Sequence, residues 1–155
     1  MTMKKIFNIL FAATALCLTA ACQKEVITDS VNPAIVGEWH LSTVEFDGKV
    51  QNYPFDVYLT INSDCTFELY QKSGSQTRYD RFTGTCKSEG NLLLGVYSSG
   101  TKWGDTYTAT VEGDTLILTN SDGTEIQEYI KESLDAEQKS DANFMTRANT
   151  ASPIL

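Results

Sequence analysis

Histidine is nearly absent from this chain: His40 stands alone among 155 residues. A zinc site or a Cys–His nucleophile would need partners that the sequence does not supply. No serine sits in a strained elbow motif or at triad spacing, and no glycine-rich loop of the phosphate-cradling kind occurs. Basic charge is also scarce, with 12 lysines and arginines against 20 acidic residues and a net charge of −8. That balance argues against nucleic acid and against electrostatic docking on anionic lipid. Carboxylates are plentiful, but Asp56, Asp64, Asp80, Asp105, Asp114 and Asp122 mostly fall at turns, where such side chains cap backbone amides. The chain is therefore read as no enzyme, with no metal and no cofactor.

Long apolar runs are missing too, except at the start. Lys4 and Lys5 precede an apolar run over residues 6–18, and Thr19-Ala20-Ala21 leads directly into Cys22. A basic head, a short apolar core and a small-residue cleavage site read as a secretory signal and not a membrane span. Leu18-Thr19-Ala20-Ala21-Cys22 resembles the lipobox of bacterial lipoproteins, with Thr19 where that family prefers leucine. The resemblance implies cleavage after Ala21, acylation of Cys22 with palmitate-type chains, and anchoring in an outer membrane. Acyl chains at roughly 0.8 kcal/mol per buried methylene would hold the protein without a spanning helix. An ordinary secretory signal with an incidental Cys22 is the alternative. Loss of residues 1–21 with their two lysines would leave 134 residues at a net charge of −10.

Residues 22–34 are polar and aperiodic, as a lipidated tether would be. Their start, Cys22-Gln23-Lys24-Glu25, is similar to short export signals of surface-displayed lipoproteins, though one acidic residue follows here where those carry several. It leans the placement toward the outer surface over the periplasmic face.

From residue 35 the pattern becomes that of short strands: 35–46, 56–62, 66–71, 78–86, 91–97, 107–112, 115–119 and 125–131. Glycine-, Asp- and Ser-bearing turns separate them, and no helical period intervenes. Eight strands at this spacing predict an all-β fold, an antiparallel up-and-down barrel over 35–132. Trp39 and Leu41 share one parity and Val44 and Phe46 the other, so a bulge is expected near Thr43–Val44. Residues 133–144 allow a short helix capped by Ser133, within a tail over 133–155 whose last residues, from Arg147, are expected to fray. Leu92, Leu94, Val96 and Ile126 are among the positions assigned inward.

The remaining cysteines can be placed by hairpin arithmetic. Strands around the turn at Gly74–Ser75 pair residues whose numbers add to about 149–151, and Cys65 and Cys86 satisfy that sum. In an oxidising space they form a disulfide or lie as two buried thiols.

Gly37-Glu38-Trp39 at the head of the first strand resembles the Gly-x-Trp motif of lipocalins, in which the tryptophan plugs one end of the barrel. Asp64-Cys65-Thr66-Phe67, Thr83-Gly84-Thr85, Leu116-x-Leu118 and Glu128-Tyr129-x-Lys131 resemble further steps of lipocalin-like domains of bacterial lipoproteins. Lipocalins usually lay an arginine on the tryptophan; here Lys131 stands near that place.

The resemblance implies a carrier of a small hydrophobic or amphipathic molecule. Tyr53 and Phe55 precede the second strand, and Trp103 lies in the longest inter-strand loop, either folded back on the barrel or held out to stack on a ligand. With Tyr79, Arg81 and Tyr107 they form the candidate ligand-binding set; Gly37 and Trp39 are structural. The alternative is a surface adhesion or glycan-contact module with a filled barrel, working through Trp103. The protein is expected to be a monomer.

Overall fold

Alternation of apolar and polar side chains carries most of the chain as strand. The computed structural model describes residues 29–145 and 152–155; the signal, Cys22 and the start of the tether lie outside them. A one-turn 3₁₀ helix, Pro33–Ile35, leads into β1 (Gly37–Phe46), followed by β2 (Lys49–Gln51), β3 (Phe55–Ile61), β4 (Thr66–Ser73) and β5 (Asp80–Glu89). Then come β6 (Leu92–Tyr97), β7 (Tyr107–Glu112), β8 (Thr115–Thr119), β9 (Glu125–Lys131), α1 (Ala136–Asp141) and β10 (Asn143–Phe144).

Eight of these strands close a ring. β1 pairs with β3, β3 with β4, and the pairing passes through β5, β6, β7 and β8 to β9, which pairs back with β1. Every one of these pairs is antiparallel, so the domain is a closed eight-stranded antiparallel β-barrel with no open edge within the ring. β2 extends the tip of β1 through an Asp47-Gly48 turn with φ of 49° and 75°, which suits the twist of a tight hairpin. The register of β1 against β9 slips between Leu41 and Thr43. The bulge therefore lies at Ser42, one residue before the expected place, and lets Trp39 and Val44 both face inward.

Tight turns use carboxylates as anticipated. Asp64 accepts from the Thr66 amide at 3.1 Å and its hydroxyl at 2.6 Å, and Asp122 does the same for Thr124 at 2.9 Å and 2.5 Å. β5 and β6 approach closely where Gly84 faces Tyr97, and a Cβ on Gly84 would collide with the Val96 carbonyl and the Phe67 ring.

One end of the barrel is plugged. Trp39 is buried, its indole N–H donates to Ile35 O at 2.9 Å, and the Lys131 ammonium lies 5.9 Å from its ring centroid. Phe67, Leu59, Ile61, Leu69, Leu93 and Leu116 pack between this plug and the other end. The first described residues join here, with Ser88 N donating to Ser30 O (2.7 Å) and Asn32 N donating to Ser88 Oγ (3.0 Å).

The C-terminal helix is shorter than the sequence suggests. It starts at Ala136, because Asp135 and not Ser133 is its cap, accepting from the Glu137 amide at 2.8 Å. After it β10 pairs parallel with β5, an element the sequence pattern does not reveal.

Cys65 and Cys86 are free thiols. The hairpin arithmetic is right, since Thr66 faces Thr85 and Cys86 N donates to Cys65 O at 2.8 Å. Cys65, however, takes a left-handed conformation (φ 66°) in the turn, and its Sγ donates to Asp29 O at 3.2 Å. Burial pushes the Cys86 thiol up to about 12.

Candidate functional site

The two alternations that fail are those of β6 and β9, and together they define the site. Leu92 and Val96 are exposed, while Leu93, Gly95 and Tyr97 face the core. Ile126 is only half-buried, while Gln127 and Tyr129 are both fully enclosed. Polar residues thus take inward positions that an apolar-inside rule assigns to their neighbours.

At the end away from Trp39 these polar groups converge. Tyr129 Oη donates to Gln127 Oε1 at 2.6 Å, and Gln127 Nε2 donates to Glu125 Oε1 at 2.5 Å. Gln71 on β4 is 1% exposed and, like Gln127, faces inward. Tyr97 and Tyr107 reach the same space from β6 and β7, with Tyr53 half-buried beside them and 5.4 Å from Phe55. The hydroxyls of Tyr53, Tyr97, Tyr107 and Tyr129 are close enough to disfavour one another's ionisation. Burial is the first cause holding the phenols of Tyr97, Tyr107 and Tyr129 above the ordinary tyrosine range; for Tyr107 the charge of Glu125 adds to it. Among the described residues the side chains of the site offer hydroxyls and amides, with the Glu125 carboxyl beside Gln127.

Trp103 folds back. It is 5% exposed and meets Phe67 edge-on at 5.0 Å and Tyr107 at 6.2 Å. Gly95 makes room, since a Cβ there would overlap the indole. Trp103 N donates to Gly95 O at 2.9 Å, while the indole N–H is buried without a partner among the described residues.

The expected set therefore divides. Tyr53, Phe55, Trp103 and Tyr107 share the main core with the barrel interior. Tyr79 and Arg81 do not; they belong to the outer wall. Tyr79 lies with Tyr70 and Leu134 in a second apolar cluster, and its hydroxyl donates to Asp56 Oδ2 at 2.5 Å. Arg81 Nη2 donates to Glu68 Oε1 at 2.6 Å beneath Phe144. Lys139 of α1 donates to Glu38 Oε1 at 2.8 Å across the same wall, and these contacts fasten the C-terminal elements to the barrel. His40, stacked on Tyr58 at 4.1 Å, bridges Asp56 and Glu132 on that outer face. Among the described residues no group of histidine, cysteine and carboxylate side chains is arranged to hold a metal. Sequence reading missed Gln71, Tyr97, Gln127 and Tyr129. The signal for the last two was present, as Gln127 and Tyr129 have the parity of Lys131, which meets Trp39.

Outside the barrel, the β5–β6 face carries a groove of about 420 Å³ over Thr83 and Gly84, and a cleft of about 530 Å³ lined by Lys87, Glu89, Lys102 and Asp105. Tyr97 borders the groove, while the cleft is lined by none of the clustered tyrosines.

Residues 35–138 match the family described as "Lipocalin-like domain". A solved structure, a lipoprotein YedD from Klebsiella pneumoniae subsp. pneumoniae MGH 78578, is 15% identical, with 75% of this chain and 87% of that chain covered and a TM-score of 0.45. No curated protein matches the chain.

Proposed function

The chain belongs to the lipocalin-like domain family, and on that footing we propose that it is a membrane-anchored lipoprotein, not an enzyme. Its up-and-down barrel takes a small hydrophobic or amphipathic ligand through the end lined by Tyr53, Tyr97, Tyr107, Gln71 and Gln127. The observation that carries this reading is the enclosure of Gln71 and Gln127 among tyrosine hydroxyls in an otherwise apolar barrel. Burying such groups opposes stability unless each finds a partner, and a barrel built only to fold could fill these positions with leucine. A few convergent polar groups in an apolar enclosure are what a binding site needs to orient a ligand. In the glycan-contact alternative Trp103 works from outside; its burial between Phe67 and Tyr107 leaves that reading without its central aromatic.

Cys22 supplies the anchor, and the outer membrane is the proposed location, with the Cys22-Gln23-Lys24-Glu25 start favouring its outer surface. Two measurements test the proposal. Native mass spectrometry of protein taken from its membrane in mild detergent should show a retained small molecule; a clean apo mass counts against the carrier. Cys22→Ser should move the protein from the membrane fraction to the soluble fraction. Unchanged membrane retention would remove the lipid anchor.

A further inference from the structure

Residues 152–155 run from an exposed Ser152 through half-buried Pro153 and Ile154 into the barrel core. Leu155 is 3% exposed and shares the core with Tyr97, Trp103 and Tyr129, and Ile154 packs against the same cluster. Two side chains hold the segment by its backbone. Tyr97 Oη donates to Leu155 O at 2.7 Å. Gln71 bridges the two peptide units that flank Pro153, its Nε2 donating to Ser152 O at 3.3 Å and its Oε1 accepting from Ile154 N at 3.2 Å. No charged side chain takes part in these contacts. Four residues on a tail punctuated by Pro153 would be expected to fray, since ordering costs about 1–2 kcal/mol per residue. Here enclosure and three hydrogen bonds offset that cost.

The contacts describe what the site recognises. A primary amide that donates and accepts at once reads a carbonyl oxygen and an N–H from neighbouring amides, and the tyrosine hydroxyl reads an oxygen acceptor beyond them. Around them Leu155 and Ile154 fill apolar space as an aliphatic chain end would. We propose that this end of the barrel is a receptor for an aliphatic chain carrying amide groups, and that residues 152–155 are its resident occupant, displaced when ligand enters. The inference rests on the carrier reading above and adds the ligand class and the competitor. Apparent affinity for any ligand is then lowered by the fraction of molecules in which the tail is seated.

The test compares the full chain with its Leu155→Asp variant, using N-phenyl-1-naphthylamine as a fluorescent apolar reporter. A carboxylate at that position cannot stay in the apolar site, so the variant should bind the reporter at least about tenfold more tightly. The tetrapeptide Ser-Pro-Ile-Leu, amidated at its end, should then displace the reporter from the variant. Tyr97→Phe keeps the ring and loses only the hydroxyl contact, and should give a smaller gain of about threefold to tenfold. Equal uptake by parent and variants overturns the resident tail and leaves the carrier standing. Tighter uptake that the tetrapeptide cannot compete overturns the amide recognition. Uptake by none of the three proteins overturns both the carrier reading and the inference built on it.

Discussion

A tyrosine hydroxyl buried against glutamine is stable only while it keeps its proton. Tyr97, Tyr107 and Tyr129 are held above the ordinary value of 10.0, first by burial. The unfolded chain releases those protons near pH 10 while the folded barrel still binds them. Their contribution to stability is therefore complete below about pH 10 and is lost as pH rises beyond it. The urea midpoint should be level at about pH 8 and fall steeply by about pH 11, with tyrosinate absorbance from these residues appearing together with unfolding. Early tyrosinate absorbance without unfolding would mean that these hydroxyls are open to solvent. Single residues were legible in the sequence where one physical demand dominates. Trp39 reads as a plug because a glycine precedes it by two residues and a cation, Lys131, ends the last barrel strand. Trp103 left two readings open because its resting place depends on Gly95, whose missing side chain is visible only once β6 is known to face inward there.

Strand order, turn positions and the β4–β5 register were legible, since each follows from local alternation and turn chemistry. The inward faces of β6 and β9 were not. Three leucines in a row, 92–94, give no parity, and in β9 the apolar Ile126 and Ile130 point out while Gln127 and Tyr129 point in. A site that needs polar groups inside breaks the very rule used to find the inside. The C-terminal elements were half-legible: the helix is marked by composition, but the parallel pairing of β10 with β5 and the seating of residues 152–155 are long-range and leave no local pattern. Leu134 is the apolar foot of this strap, buried with Tyr70 and Tyr79. Leu134→Ala should destabilise the domain by about 2–4 kcal/mol, read as a lower urea midpoint. A change below about 0.5 kcal/mol would show that the strap is not part of the cooperative unit.

For the whole molecule, charge and the proposed attachment pull in opposite directions. The chain beyond residue 21 carries a net charge of −10, with no compensating basic patch in its sequence. A protein so charged is repelled by anionic lipid, so the acyl chains proposed for Cys22 would have to supply the entire affinity for the membrane. The Cys22→Ser variant, which offers no thiol for acylation at that position, should fail to sediment with phosphatidylglycerol vesicles even at low salt. Sedimentation that weakens as salt rises would reveal a basic docking surface that the composition hides.

The route of the chain into the barrel then sets an orientation. Ser30 and Asn32 are fastened at Ser88, on the Trp39 end, whereas Gln71 and Tyr97 hold residues 152–155 at the other. Strands of 7 to 10 residues such as β3 and β1 separate the two ends by about 20–30 Å. On the proposed anchoring at Cys22, attachment at the Trp39 end would turn the tyrosine-lined end away from the bilayer. The proposed cargo would then be exchanged with the surrounding water or with another macromolecule facing the barrel, and not drawn sideways out of the leaflet in which the proposed anchor would sit.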